Sequence, residues 1–371
     1  MELAKSRTWV EVSLEAIRGN VRAIRAVLPQ ETKFLGVVKA NAYGHGAVPV
    51  AKAILEAGGE YLAVACLSEA AELREAGITA PILILGVTPA EFAPELLRLD
   101  VTQAVSGLDY ARELSARLTG PLKCHLKLET GMGRTGFPCG EDKLADIIEA
   151  LSLLKLDFEG VFTHFAVSDS VGDPFTQQQH RRFVDTVEKL EKASGRRFAI
   201  KHCANSGAVI NYKEMAHDMV RPGVITYGMY PAPETGGISL RPALSLRTRV
   251  YAITEHKPGD TISYGRAFTV ERDTRLAVLP IGYADGLSRN LSGRMDVLIH
   301  GKRCPQVGRI CMDMCMVDIT DLPQCRVGDV ATVIGADGGE RILADELAEK
   351  LGTIHYEITC GLSVRVPRLY D

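Results

Sequence analysis

Between residues 33 and 228, short apolar runs rich in β-branched residues alternate with longer stretches of helical periodicity, and this constrains the fold more than any other feature. Eight runs read as strands: 33–39 (KFLGVVK), 61–66 (YLAVAC), 81–86 (PILILG), 101–106 (VTQAVS), 122–129 (LKCHLKLE), 158–164 (FEGVFTH), 199–204 (AIKHCA) and 218–226 (DMVRPGVIT). Helical segments separate most of them. In 68–77 (SEAAELREAG), Ser68 is the expected N-cap and Gly77 the stop. Around 174–194, Phe183, Val184, Val187 and Leu190 share one face ahead of Gly195.

Eight strand–helix units over about 200 residues match the count and length of a (β/α)8 TIM-type barrel; a doubly wound open sheet is the alternative. The two differ in where polar strand ends fall. Lys39 ends the first run, Lys127 and Glu129 the fifth, and His164 the sixth. His202 and Asn205 lie at the end of the seventh, and Arg221 is in the eighth. A barrel brings these ends to one face, where barrel active sites lie, whereas an open sheet spreads them along an edge.

After about residue 236 the helical rhythm fades. Short apolar runs at 246–253, 276–281, 296–300 and 329–335 are separated by turns such as Pro258-Gly259-Asp260. The reading is an α/β chain, with a barrel over 1–236 followed by a mainly β domain over 237–371. Residues 8–13 form a further strand, a candidate to pair with the β domain. A length of 371 residues suits two domains. Balanced charge, 43 basic against 46 acidic residues with no basic stripe, argues against a nucleic-acid partner. No run approaches the roughly 20 apolar residues of a membrane helix. No signal peptide is recognisable, and nine cysteines scatter without paired spacing, as expected of free thiols in a reducing, cytoplasmic setting.

Four clusters can carry chemistry. Lys39 follows an apolar run and precedes a loop bearing Tyr43, Gly44, His45 and Gly46. A desolvated lysine has a lowered pKa and forms Schiff bases; a strand-end lysine can equally snorkel to solvent. Lys127 to Gly136 is a glycine-rich loop in which Arg134 can grip a carboxylate or simply lie on the surface. Asn205-Ser206-Gly207, with Arg221-Pro222-Gly223-Val224, offers donors for a phosphate near the last two strands, and is also an ordinary turn and cap. No Walker loop or dinucleotide fingerprint is present, so such a phosphate would belong to a compact cofactor. Beyond residue 236, Ser263-Tyr264-Gly265, Gly282-Tyr283-Ala284-Asp285-Gly286 and Cys311-Met312-Asp313-Met314 set tyrosine and methionine among turns. His164 and His202 are possible metal ligands, but no acidic cluster joins them, and no metal is expected.

Together these segments, with Thr163-His164-Phe165, Arg309-Ile310-Cys311 and the C-terminal Arg365-Val366-Pro367-Arg368, resemble the alanine racemase family over nearly the whole chain. The resemblance implies a barrel plus a β domain, pyridoxal 5'-phosphate, and a head-to-tail homodimer whose active sites each draw on both copies. It implies interconversion of L- and D-alanine, supplying D-alanine for peptidoglycan. Lys39 would hold the cofactor as a Schiff base and act as the base for the D enantiomer. Tyr264 of the partner copy would serve the L enantiomer, with His164 and Arg221 forming its network. Tyr43, Ser206, Gly223, Val224 and Tyr356 would hold the phosphate, and Arg134 and the partner's Met312 N–H the substrate carboxylate. Lys127 is a position often carbamylated in the family, and Glu129 stands where the family often has Asp.

Arg221 bears on the reaction. Many pyridoxal enzymes set an acid against the ring nitrogen, but arginine only donates. An unprotonated ring disfavours transamination, which favours a racemase. The rivals are a barrel-type amino acid decarboxylase, a non-catalytic carrier of the cofactor, and a racemase that also takes serine.

Overall fold

The computed structural model describes residues 3–232 and 237–371. The expected boundary at 236 and 237 falls against residues 233–236, which lie outside the described residues. The chain forms two compact units. One comprises Met1–Leu14, Tyr43–His45 and Ala243–Asp371; the other comprises Glu15–Ala42 and Gly46–Pro242.

The first strand, β1 (Thr8–Val12), belongs to the former unit. The latter unit is built on β2 (Lys33–Val37), β3 (Tyr61–Val64), β4 (Ile82–Ile84), β5 (Thr102–Val105), β6 (Leu122–Glu129), β7 (Phe137–Pro138), β8 (Leu156–Phe162), β9 (Ile200–His202) and β10 (Met219–Val220). Their order is β10-β2-β3-β4-β5-β6-β8-β9, every pairing parallel, with β7 a spur on β6. The two ends meet through a parallel bridge between Asn205 and Arg221. There Arg221 N–H donates to Ala204 O at 2.9 Å and Asp218 N–H to Lys201 O at 3.1 Å. The sheet therefore closes into the eight-stranded barrel. Its strands β4 and β5 are buried at every position, as parallel strands covered on both faces must be.

Several strands are shorter than their apolar runs. β2 stops at Val37, so Lys39 lies two residues beyond the ladder. The eighth run keeps only Met219–Val220, because Pro222 has no N–H to continue the ladder; Val224–Tyr227 is a 3-10 turn instead. Ser68 is not a cap. The helix runs Leu67–Glu75 from Cys66, and the Glu69 carboxylate takes the Ala65 N–H at 2.7 Å. The long helix, Phe175–Ser194, buries Phe183, Val187 and Leu190 and ends on left-handed Gly195.

The former unit pairs β1 antiparallel with β11 (Leu244–Arg249) and parallel with β21 (Arg368–Tyr370). Between these in sequence come β12 (Ala252–His256), β13 (Thr261–Ile262), β14 (Phe268–Thr269), β15 (Thr274–Leu279), β16 (Asp296–Ile299), β17 (Lys302–Val307), β18 (Cys315–Asp318), β19 (Val330–Asp337) and β20 (Glu340–Ile342). The main sheet runs β12-β15-β18-β17-β16-β19-β11-β1-β21, and its core includes Val10, Leu246, Leu279, Val297, Val317 and Val333. Two short helices, Ala344–Leu351 and His355–Cys360, accompany it. Among the described residues, no helix is long and apolar enough to cross a membrane.

Candidate active site

Lys39 opens a left-handed turn. Ala40, Asn41, Ala42 and Tyr43 all have φ of 52–53°. L-residues there cost about 1–2 kcal/mol each, so the turn needs support. Ala42 N–H donates to Val38 O at 2.8 Å, and Gly46 N–H to Asn41 O at 2.9 Å. Asn41 Oδ1 accepts from Ala47 N–H at 2.8 Å. The Glu69 carboxylate takes the Ala40 N–H at 2.7 Å with one oxygen while its other holds Ala65. Glu69 thus fixes the backbone immediately after Lys39. Asn and the flanking glycines were the local signals of this turn; Glu69, thirty residues on, had none.

The barrel's C-terminal strand ends gather positive charge. The charges of Lys39, Arg134 and Arg221 all act on Lys127, and with Lys127 they act on His164. Burial first, then Arg134 and Arg221, brings Lys127 down to about 8. Burial, then Arg221, holds His164 well below the usual imidazole range, so its ring is neutral. Lys127 Nζ donates to Thr135 Oγ1. The glycine-rich loop is organised by Glu129, which accepts the N–H of Gly131 at 2.6 Å and of Arg134 at 3.1 Å. Burial raises the Glu129 carboxyl, but these and the neighbouring backbone donors outweigh it and hold it low. Its oxygens serve the loop. Among the described residues, no ion pair joins Lys127, Arg134 or Arg221 to an acid.

Arg221 is buried at 4% exposure. Its Nη1 lies 2.8 Å from His202 Nδ1, and its Nη2 donates to Thr163 O at 2.7 Å and Cys203 O at 3.2 Å, with His164 Nδ1 at 3.4 Å. Burial brings it down to about 10, so it stays protonated near neutrality. Its Nε has no partner among the described residues. Behind it, His202 Nε2 meets His125 Nδ1 at 2.8 Å. The His164 turn is held by buried Gln179, whose Nε2 donates to His164 O at 3.1 Å and whose Oε1 accepts from Ala166 N–H at 2.9 Å. Sequence reading named His202 but gave it no role here, and missed His125 and Gln179, whose partners lie tens of residues away.

At the last two strands, Gly223 N–H donates to Ser206 Oγ at 2.9 Å, and Asn205 caps the helix Ser206–Asn211 by accepting from Ala208 N–H at 3.1 Å. Ser206, Gly223 and Val224 are thereby brought side by side.

In the other unit, the rings of Tyr43 and Tyr356 lie 5.9 Å apart at a 51° tilt. Ser263, Gly265 and Arg266 all have positive φ around Tyr264, and Ser263 Oγ fixes the turn on Arg309 O at 2.7 Å. Tyr264 is 69% exposed, Met312 53%, Met314 49% and Tyr283 43%.

Comparison with known proteins now decides the family. Residues 12–231 match the family model described as the alanine racemase N-terminal domain, and residues 243–370 the alanine racemase C-terminal domain. The chain belongs to the alanine racemase family.

It is accordingly an isomerase. Alanine racemase 2 of Caldanaerobacter subterraneus is 46% identical over 98% of this chain and 94% of its own length. Alanine racemase of Desulforamulus reducens is 44% identical over 99% of both. Among solved structures, alanine racemase of Bacillus anthracis with bound L-Ala-P superposes with a TM-score of 0.94 at 40% identity, over 99% of this chain and 95% of that one. The E. faecalis alanine racemase gives 0.93 at 38%, over 99% and 98%. The barrel-plus-β architecture read from the alternation of runs is that of the family.

Proposed function

We propose that this chain interconverts L- and D-alanine using pyridoxal 5'-phosphate, by a two-base mechanism. The observation that carries the reading is Arg221: a buried, charged donor without an acid partner, set among Lys39, Lys127, Arg134 and His164.

The donor set fits the cofactor. A cluster of cations with no ion-paired acid at Lys127, Arg134 or Arg221 is unfavourable by itself and suits a ligand carrying several negative charges. Ser206 Oγ, which accepts the Gly223 N–H and keeps its own hydrogen to donate, would with the Val224 N–H supply neutral donors for a phosphate, to which the family pattern adds Gly223, Tyr43 and Tyr356. Lys39, fixed by Glu69, is the residue that would hold the carbonyl carbon. Bound there, the cofactor would withdraw electrons from the substrate and make its α-proton acidic.

The chain's own groups then set the outcome. Arg221 can only donate, so a ring nitrogen that it met would stay unprotonated and electron withdrawal would be tempered, which would favour return of the proton to Cα. Arg134 would grip the substrate carboxylate, together with the Met312 N–H of a second copy. Lys39 removes or returns the proton on one face, for D-alanine, and Tyr264 of the second copy does so on the other, for L-alanine. His164 and Arg221 tune that tyrosine. The exposed Tyr264, Tyr283 and Met312 surface supports the shared-site homodimer. Nine cysteines scattered without paired spacing support a cytoplasmic setting. Alanine is the substrate of choice, and a role in supplying D-alanine for peptidoglycan follows from the family.

The test is direct. L-alanine should lose optical rotation without release of carbon dioxide, and the visible absorption of the bound cofactor should disappear in Lys39→Ala. Carbon dioxide release, or cofactor absorption independent of Lys39, would overturn the reading.

A further inference from the structure

Outside the cation cluster, three potential metal ligands meet on the barrel: His180 on the helix Phe175–Ser194, Cys203 one residue past β9, and His217 two residues before β10. Their ligand atoms all lie within 4.8 Å of one another. His180 Nε2 and His217 Nε2 are 2.8 Å apart, and Cys203 Sγ donates to Met215 O at 3.2 Å. Cys203 is fully buried, whereas both histidines are part-exposed. We propose that His180, Cys203 and His217 form a binding site for a zinc ion, with water in the fourth position.

The geometry needs small adjustment. Tetrahedral zinc at about 2.0–2.1 Å from nitrogen and about 2.3 Å from sulfur sets the two nitrogens about 3.3 Å apart and each about 3.6 Å from the sulfur. The rings must separate by about half an ångström and the thiol must swing in by about 1.2 Å at most, movements within reach of side-chain rotation. Two neutral imidazoles at hydrogen-bond distance share one N–H between two nitrogens; for both Nε2 atoms to ligate, the donor ring moves its hydrogen to Nδ1 while the other ring keeps its own there. One thiolate with two imidazoles favours zinc over magnesium or calcium, which take oxygen ligands.

The surroundings agree. The charged groups that face the histidines are Glu214 at His180 and Asp218 and Lys201 at His217. A thiol must give up its proton to ligate zinc. Binding therefore converts one thiol and two neutral imidazoles to a thiolate complex and releases one proton. His217 has φ of 48°, and Thr32 Oγ1 ties its carbonyl at 3.0 Å, which fixes the turn that presents the ring. Phe165 and Phe183 pack against the histidines, ring centroids 6.5 and 5.8 Å away. Cysteine spacing in the sequence is silent on this cluster, because its members come from three separate segments.

Equilibrium dialysis of the holoenzyme against zinc, with zinc-edge X-ray absorption of the loaded protein, tests the site. The expected result is one ion per chain, a single sulfur neighbour at about 2.3 Å and release of one proton. Cys203→Ser should lose the sulfur neighbour, and His180→Ala should weaken binding by about 100-fold or more, since even groups that only orient ligands cost 10–100-fold. The partly exposed helix position of His180 keeps the test usable where Cys203→Ser fails to fold. Less than one ion per chain, a sulfur neighbour that persists in Cys203→Ser, or unchanged affinity in His180→Ala overturns the proposal.

Discussion

His202 Nδ1 lies 2.8 Å from Nη1 of Arg221, and that distance fixes the protonation of a chain of buried groups. Arginine only donates, so Nδ1 accepts and the hydrogen of His202 must sit on Nε2. Nε2 then donates to His125 Nδ1 at 2.8 Å, leaving the His125 hydrogen on Nε2, 3.6 Å from Glu159. Burial, then Arg221, holds His202 well below the usual imidazole range, which keeps its Nδ1 unprotonated and able to accept. Replacing His202 with Phe keeps the ring stack on Phe162 but strands one Arg221 donor. A stability loss of about 1–3 kcal/mol is expected, with a fall in racemisation rate larger than any change in KM. Denaturant midpoints and initial rates check it, and an unchanged rate would show that Arg221 needs no support.

A second prediction concerns Asp285, whose side chain is fully buried in the β-domain unit. It accepts from Arg7 at 2.6 and 2.8 Å, from Arg365 Nε at 2.7 Å and from Gly282 N–H at 2.9 Å. The turn it holds donates to its neighbour loop, Tyr283 N–H to Cys311 O at 3.1 Å and Ala284 N–H to Met312 O at 3.0 Å. Burial raises the Asp285 carboxyl, yet the two arginines outweigh it and leave it lowered. A lowered carboxyl stabilises the fold above its unfolded value, near 4, and loses that contribution as pH falls through the folded value. Asp285→Asn should cost about 3 kcal/mol, at the lower end for a broken buried pair because both arginines are part-exposed. It should also flatten the acid limb of the stability curve. Equal acid sensitivity in both proteins would assign that limb to other carboxylates.

What the sequence made legible divides by range. Strand count and the order of Lys39, Lys127, His164 and Arg221 at strand ends follow from local periodicity, because parallel strands buried on both faces leave continuous apolar runs, whereas closure of the barrel rests on the bridge between its two end strands, which no local run carries. The turn after Lys39 was half-legible: glycines at 44 and 46 marked a bend, but nothing local announces four L-residues in the left-handed region. Groups that act through distant partners left no trace. Glu69 holds Ala40, Gln179 holds His164 and His125 meets His202 only once the barrel is closed. Ser68 looked like a cap because its type and place were right, but the helix starts one residue earlier and Glu69 takes the Ala65 N–H.

Lys127 offers a titration. With its ammonium brought down to about 8, the neutral amine becomes abundant as pH rises through that value, and only the neutral amine adds carbon dioxide. A carbamate there would exchange a cation beside Arg134 for an anion. Carbon-13 bicarbonate should therefore give a carbamate NMR signal that grows from pH 7 to 9 and is absent in Lys127→Ala. Persistence of the signal in that variant would place the carbamate elsewhere, and no signal in the native protein would leave Lys127 as the free amine.

The two-base reading makes an asymmetric prediction for Tyr264. Its hydroxyl is presented by a turn in which Ser263, Gly265 and Arg266 all have positive φ, so Phe can replace it without moving the ring. Loss of a positioned acid or base costs about 10²–10⁴ in rate, and racemisation should fall by that much in both directions. The partial reactions should separate. In deuterium oxide, Tyr264→Phe should still wash the α-hydrogen out of D-alanine, whose proton faces Lys39, and should exchange that of L-alanine far more slowly. Equal loss of exchange from both enantiomers would mean that Tyr264 supports binding rather than proton transfer, and equal retention would assign both faces to Lys39.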